Sequence, residues 1–229
     1  MKFWIGAAVA AAAFLVLSSS PSAQTQQNSD EAKRIRDATT IFGEIMVAED
    51  KAIPTAILSK AEGIAIFPDT VKAGFIVGGM RGRGILSVRS ATGWSSPAFI
   101  TLTGGSIGLQ IGGQAADIIL VLNDRRGIEN LVRNQFKIGA DASVAAGPVG
   151  RDAQASTDIQ LRAQILSYSR ARGLFAGVTI NGSTIRQDLD ANERFYGKRM
   201  QSKEIVFDGA AGAPEPVAPW LDALVRYSR

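Results

Sequence analysis

The sequence predicts an α+β domain, an antiparallel β-barrel-like core with about three helices packed on its surface. Two observations point to the core. Six short β-rich runs between residues 63 and 122 are bounded by turn residues at even spacing. Glycine, 24 of 229 residues, recurs beside and inside these runs, as tightly curved and closely packed strands require. The third observation concerns the helices: on both sides of this block, apolar residues recur at helical spacing.

The N-terminus reads as an export signal. Lys2 precedes an apolar run, Phe3 to Leu17, and then the small residues Ser18 to Ala23. That run is shorter than the roughly 20 apolar residues a spanning helix needs. The expected organisation is a signal peptide over 1–23, a linker over 24–29 and one domain over 30–229, delivered to the periplasm or secreted. With no Cys there is no acylated cysteine, so the product is not a lipoprotein, and there is no disulfide or thiolate metal site.

From Asp30, Ile35, Ala38, Ile41, Phe42, Ile45 and Met46 form an apolar stripe, with Lys33, Arg34, Arg36, Glu44 and Glu49 opposite. Pro54 permits a second helix through Leu58. The β-rich runs follow: Ile64–Phe67, ending at Pro68-Asp69; Gly74–Val77; Gly84–Arg89; Ala98–Leu102; Ile107–Ile111; and Asp117–Leu122. Consecutive pairing would make them a meander. Gly79-Met80-Arg81-Gly82-Arg83-Gly84 reads as a hairpin tip presenting two guanidinium groups suited to bidentate phosphate contact. It lacks the Gly-Lys-Ser/Thr ending of a nucleotide loop. A faint echo between residues 74–79 and 108–113 suggests two equivalent barrel strands.

Arg125 to Phe136 again shows helical spacing, and Ile165–Ser169 and Leu174–Ile180 resume the strand texture. Asn181-Gly182 reads as a hairpin turn into Thr184–Arg186. Trp220, Leu221, Leu224, Val225 and Tyr227 form a last amphipathic segment.

The composition narrows the chemistry. There is no His, hence no ordinary general base near neutral pH and no commonest metal ligand. No Ser is followed three residues later by Lys, the base a serine nucleophile would need in a chain without His. Only carboxylates remain: Glu49-Asp50, Asp141, Asp152, Asp158, and the trio Asp188, Asp190 and Glu193. The trio begins like a calcium loop but has Glu193 where glycine is needed and Arg199 where a bidentate Glu is needed, so it reads instead as a helix N-terminus. The sequence therefore predicts no enzyme, no cofactor and no metal. Of 25 basic residues Lys2 lies in the leader, so 24 against 21 acidic residues leave +3, scattered in twos and threes; this argues against a nucleic-acid partner.

Several stretches resemble the SYLF domain family. They are Ile53-Pro54 to Leu58, Ala61-Glu62-Gly63-Ile64-Ala65-Ile66-Phe67-Pro68, and Lys72-Ala73-Gly74-Phe75 with Gly78-Gly79. Further on come Gly93-Trp94-Ser95-Ser96-Pro97-Ala98-Phe99, Gly104 to Gly112, Gly139 to Ser143, Gly147 to Arg151, Tyr168-Ser169-Arg170, and Gly173 to Gly177. The resemblance covers nearly all of the chain after the leader. It implies a β-barrel core and binding of anionic phospholipid headgroups, phosphoinositides in eukaryotic members, at a membrane surface. Some fungal members bind actin, a partner that export makes an unlikely one here. Lipid binding would use the first helix through Lys33, Arg34 and Arg36, with Lys72, Arg81, Arg83, Arg170 and Arg172 as further candidates on charge. The alternative role is a structural envelope protein that recognises a protein or a glycan.

Overall fold

The structure is a computed structural model that describes residues 29–48, 51–74, 77–107, 114–133, 135–150, 163–171, 174–178 and 180–229; for 72–74, 77, 78, 105–107 and 114 it describes the backbone alone. The predicted leader therefore lies outside the described residues.

Helix α1 (Asp30–Val47) begins at Ser29, whose Oγ accepts the Ala32 N–H at 3.1 Å, with Asp30 and Glu31 in the first turn against the helix dipole. Its stripe of Ala32, Ile35, Ala38, Ile41, Phe42 and Ile45 is buried. A one-turn helix, α2 (Thr55–Leu58), starts after Pro54. Then come β1 (Gly63–Gly74), β2 (Val77–Ser90), β3 (Gly93–Trp94), β4 (Ala98–Ile107), β5 (Gln114–Leu122), α3 (Arg125–Arg133), β6 (Phe136–Lys137) and β7 (Val144–Ala146). The remainder is β8 (Ile165–Ala171), β9 (Leu174–Gly177), β10 (Thr184–Gln187), α4 (Leu189–Tyr196), α5 (Ser202–Val206), a 3-10 turn over Glu215–Val217 and α6 (Ala218–Tyr227).

The strands form one sheet in the order β6-β10-β4-β2-β1-β5-β8-β7, with β3 beside β2 and β9 beside β8. The outermost strands β6 and β7 are consecutive in the chain, joined by residues 138–143 and the Ile138–Ala142 bridge. So short a connection brings the two edges together only if the sheet curls, and the result is a half-barrel. The mixed α+β class and the barrel-like core agree with expectation. The helix count does not: six helices are present among the described residues where about three were expected; α2 and α4 are signalled only by Pro54 and by the acidic residues at Asp188, and α5 is too short to carry a periodic signal.

Three strand expectations change. Pro68-Asp69 does not end a strand: β1 runs through it to Gly74, with a register shift against both β2 and β5 that marks a bulge. Asp69 there takes a left-handed φ of 45°, and its N–H is held by Asp117 Oδ1 at 2.9 Å. The meander holds through β1, β2 and β4, but β5 then pairs with β1 instead of β4. Asn181-Gly182 is a turn, with Gly182 at φ 77°, yet β10 pairs with β4 and β6, so it closes no β9–β10 hairpin. The echo at 108–113 lies outside the described residues.

Alternation along each strand sends side chains to two cores. Ile64, Ile66, Ile85, Phe99, Ile119, Val121, Leu166 and Tyr168 pack under α1, α4 and α6. Ala65, Phe67, Leu86, Val88, Ile100, Leu102, Ile118 and Leu120 meet α3, α5, Phe136 and Ile185 on the other face. The C-terminus is tied down by Trp220 Nε1, which donates to Ser87 Oγ at 2.9 Å. Arg89 also stacks on Trp94 at 4.6 Å and donates to the carbonyls of Leu58, Ala61 and Ser228. At Gly147 and Gly177 the packing is close enough to demand glycine: a Cβ on Gly147 would lie 2.0 Å from the buried Tyr168 ring, and one on Gly177 2.2 Å from the Gly147 carbonyl.

Candidate functional site

Helix α1 crosses the sheet and is fixed along its length. Glu31 accepts from Arg194 of α4 at 2.8 Å. Arg34 is buried, 5.2 Å above the Phe99 ring and 3.5 Å from Asp188. Burial holds its guanidinium below the usual arginine value, with Asp188 opposing that shift. Toward the other end Glu44 pairs with Arg170, which also reaches Asp117 at 2.5 Å and lies 5.7 Å from the Phe175 ring. Phe42 meets Trp220 and Tyr227 edge-on, at 5.7 and 5.8 Å. The apolar stripe of α1 is thus part of the core, and Arg34 and Arg170 serve the packing of that helix. Lys33 is exposed and ion-paired to Asp37 at 2.6 Å, which raises its pKa. Arg36 is exposed.

Beyond α1 the same face of the sheet is open. Arg81 and Arg83 stand on it, but they are in the middle of β2 and not on a hairpin tip: Arg81 pairs with Val71 and Thr103, Arg83 with Thr101. The Arg-Gly-Arg-Gly alternation follows from the pleat. Gly82 and Gly84 point to the inner face, where a Cβ would lie 2.4 Å from Thr70 Oγ1 and 2.5 Å from the Phe67 ring, so β1 packs close only over glycine. The arginines take the outer positions. Both are exposed, and among the described residues neither has an ion-pair partner. They border a groove of about 620 Å³ with Pro68, Asp69, Gly79 and Val71, the last 50% exposed.

The other proposed site residues are less informative. Lys72 pairs with Met80, one step from the Arg81 row, and its side chain lies outside the described residues, as does the whole of Arg172. The carboxylates considered for catalysis hold the fold. Asp188 Oδ1 caps α4 by accepting the Ala191 N–H at 3.1 Å, and Glu193 pairs with Arg199 at 3.0 Å. Asp141 accepts the Lys137 N–H at 2.6 Å, whereas Glu49, Asp50, Asp152 and Asp158 lie outside the described residues. Among the described residues no three His, Cys, Asp or Glu side chains gather to hold a metal, and no helix is long and apolar enough to cross a membrane. A smaller cavity of about 240 Å³ beside α3 has Arg125, Arg133 and Lys203 on its wall, but Arg125 is paired with Glu62 and Lys203 with Asp208.

Two basic residues on the open face escaped the sequence analysis. Arg186 pairs with Thr101 in the Arg83 row, and Lys137 pairs with Thr184 in the Arg81 row; both are exposed. Only the β10–β4 register reveals them, and no local signal in the sequence carries that register.

A half-barrel wrapped by helices, with Asp141, Asp188 and Glu193 engaged in the fold and one face left basic and open, has the character of a binding domain. Comparison with known proteins gives the family. Residues 103–227 match the model described as "Ysc84: Las17-binding protein actin regulator", and the chain belongs to this Ysc84, or SYLF, family. It is 34% identical over 181 residues to SH3 domain-containing YSC84-like protein 1 of Homo sapiens, covering 77% of this chain and 53% of that protein. Protein YSC84 of Saccharomyces cerevisiae is 34% identical over 179 residues, 76% of this chain and 38% of that protein. LAS seventeen-binding protein 3 of the same species is 34% identical over 179 residues, 76% and 39%. The chain therefore spans about half the length of its animal relatives and less of the yeast ones. The family is described by binding and regulation. These names correct one expectation: an actin-associated partner was judged unlikely because of export, and the family's description as an actin regulator removes that exclusion.

Proposed function

We propose that this domain is a non-catalytic, exported binding module whose open sheet face takes anionic phospholipid headgroups, phosphoinositide-like ones included, at a membrane surface. The observation that carries the proposal is the Arg81–Arg83 groove. Two exposed guanidinium groups stand beside the exposed apolar side chain of Val71, a pairing suited to a ligand that is charged at one end and apolar at the other. Lys33 and Arg36 add positive charge from α1, and Arg172 joins on charge alone; Lys72 is left out because its register partner Met80 belongs to the buried opposite face. Arg34 and Arg170 are left out of the contact set because their charges are already committed within the fold. Each basic residue at an anionic surface contributes on the order of 1 kcal/mol, so binding is weak and salt-sensitive. The leader over residues 1–23 would place the domain in the periplasm or outside the cell.

The relatives' names favour a second reading, an actin-associated protein partner. Flotation with neutral and anionic vesicles at low and high salt separates the two. Binding confined to anionic vesicles and lost in salt supports the lipid site; absence of vesicle binding together with co-sedimentation with actin filaments supports the protein partner.

A further inference from the structure

Two rows of residues cross the open face, and their chemistry is graded. In one, Val71, Arg81, Thr103, Thr184 and Lys137 stand opposite one another on β1, β2, β4, β10 and β6. In the other, Arg83, Thr101 and Arg186 do so on β2, β4 and β10. Paired residues point to the same face, and the inner-face neighbours Leu102, Ile185 and Phe136 are all buried, which fixes these rows as outward. Threonine hydroxyls lie between Arg81 and Lys137 in the first row and between Arg83 and Arg186 in the second, and Val71 continues the first row beyond Arg81. At about 4.8 Å per strand, the Arg83 and Arg186 backbones are about 10 Å apart along the sheet, and those of Arg81 and Lys137 about 14 Å.

A single phosphodiester occupies one end of such a bed and leaves the other unused. We propose that the ligand of this face is a headgroup with two phosphate groups at opposite ends of a hydroxylated scaffold, of the bis-phosphorylated disaccharide class. Arg81 and Arg83 hold one phosphate by bidentate contact, and Arg186 with Lys137 holds the other. Thr101, Thr103 and Thr184 lie under the sugar hydroxyls, and acyl chains leave past the exposed Val71 on β1. Arg186 is held in position by donating to Gln135. Asp69 and Asp141 bound the two ends and penalise a phosphate placed outside the bed. This proposal rests on the face being a lipid site.

The test uses phosphatidylcholine vesicles doped, at matched total charge, with phosphatidylglycerol, with a diphosphorylated glucosamine-disaccharide lipid, or with its monophosphorylated form. The diphosphorylated lipid is expected to bind about 30-fold more tightly than phosphatidylglycerol, the share of two further cations. Lys137→Gln with Arg186→Gln should abolish this preference, weakening binding of the diphosphorylated lipid about 30-fold more than binding of phosphatidylglycerol. The deacylated diphosphorylated disaccharide should compete, and inorganic phosphate at the same concentration should not. Both exchanges are at exposed positions, and circular dichroism checks that the double variant is folded. Equal binding of all three lipids, or a double variant weakened equally toward all of them, overturns the headgroup assignment and leaves the lipid site standing. Failure to bind any vesicle overturns both.

Discussion

Phe42→Ala separates a packed helix α1 from one that seeks a membrane. The Phe42 ring is fully buried and stands edge-on to Trp220 at 5.7 Å and Tyr227 at 5.8 Å, joining α1 to α6. Truncating such a ring removes its burial and leaves a cavity in a close-packed interior, a loss of about 4 kcal/mol. For a domain of this size that lowers Tm by about 8–16 °C. Urea unfolding followed by tryptophan fluorescence reads the change directly, because the Trp220 indole packs against the Phe42 ring. Vesicle binding at a temperature where the variant is folded should be unchanged, since the ring never faces lipid. A loss below about 1 kcal/mol accompanied by weaker vesicle binding would refute the reasoning and return α1 to the membrane.

Three further outcomes follow from the same geometry. Gly147→Ala forces a methyl group to 2.0 Å from the Tyr168 ring and should cost about 3 kcal/mol in urea unfolding, with no change in vesicle affinity. Asp188→Ala strips α4 of its cap and leaves the buried Arg34 charge unpaired, costing about 3 kcal/mol, whereas Arg34→Met keeps the volume over Phe99 and should cost less than about 1 kcal/mol. Asp69→Gly relieves a left-handed φ of 45° and removes a carboxylate from the groove. Thermal melts should show stability unchanged or raised by about 1 kcal/mol, and flotation should show tighter binding to anionic vesicles.

The sequence made the class of core legible because alternation and glycine punctuation are local signals. It also located α1, α3 and α6 through their apolar periods. It misled where one residue type serves two purposes. Glycine at 82 and 84 looks like turn punctuation, but its role is to let Thr70 and Phe67 pack against β2, so Arg81 and Arg83 are strand residues. Pro68-Asp69 looks like a strand end, yet the Asp117 carboxylate, 48 residues away in the chain, holds the bend and lets β1 continue. Arg34 looked like one of three surface cations on α1, but its partners Phe99 and Asp188 are remote in the chain, and only they show it to be buried. Arg186 and Lys137 were invisible as site residues for the same reason: the β4–β10–β6 register that aligns them with Arg83 and Arg81 is a long-range property.

The central claim is that the open sheet face, centred on Arg81 and Arg83, is the binding surface. Its most direct test is flotation with anionic vesicles at low salt, comparing the parent with Arg81→Gln/Arg83→Gln and with Arg126→Gln/Arg133→Gln, an exposed pair on α3 against the opposite face. The account predicts about a 30-fold loss for the first pair, from two contributions of about 1 kcal/mol each, and little change for the second. Equal losses from the two pairs, or none from the first, would contradict it.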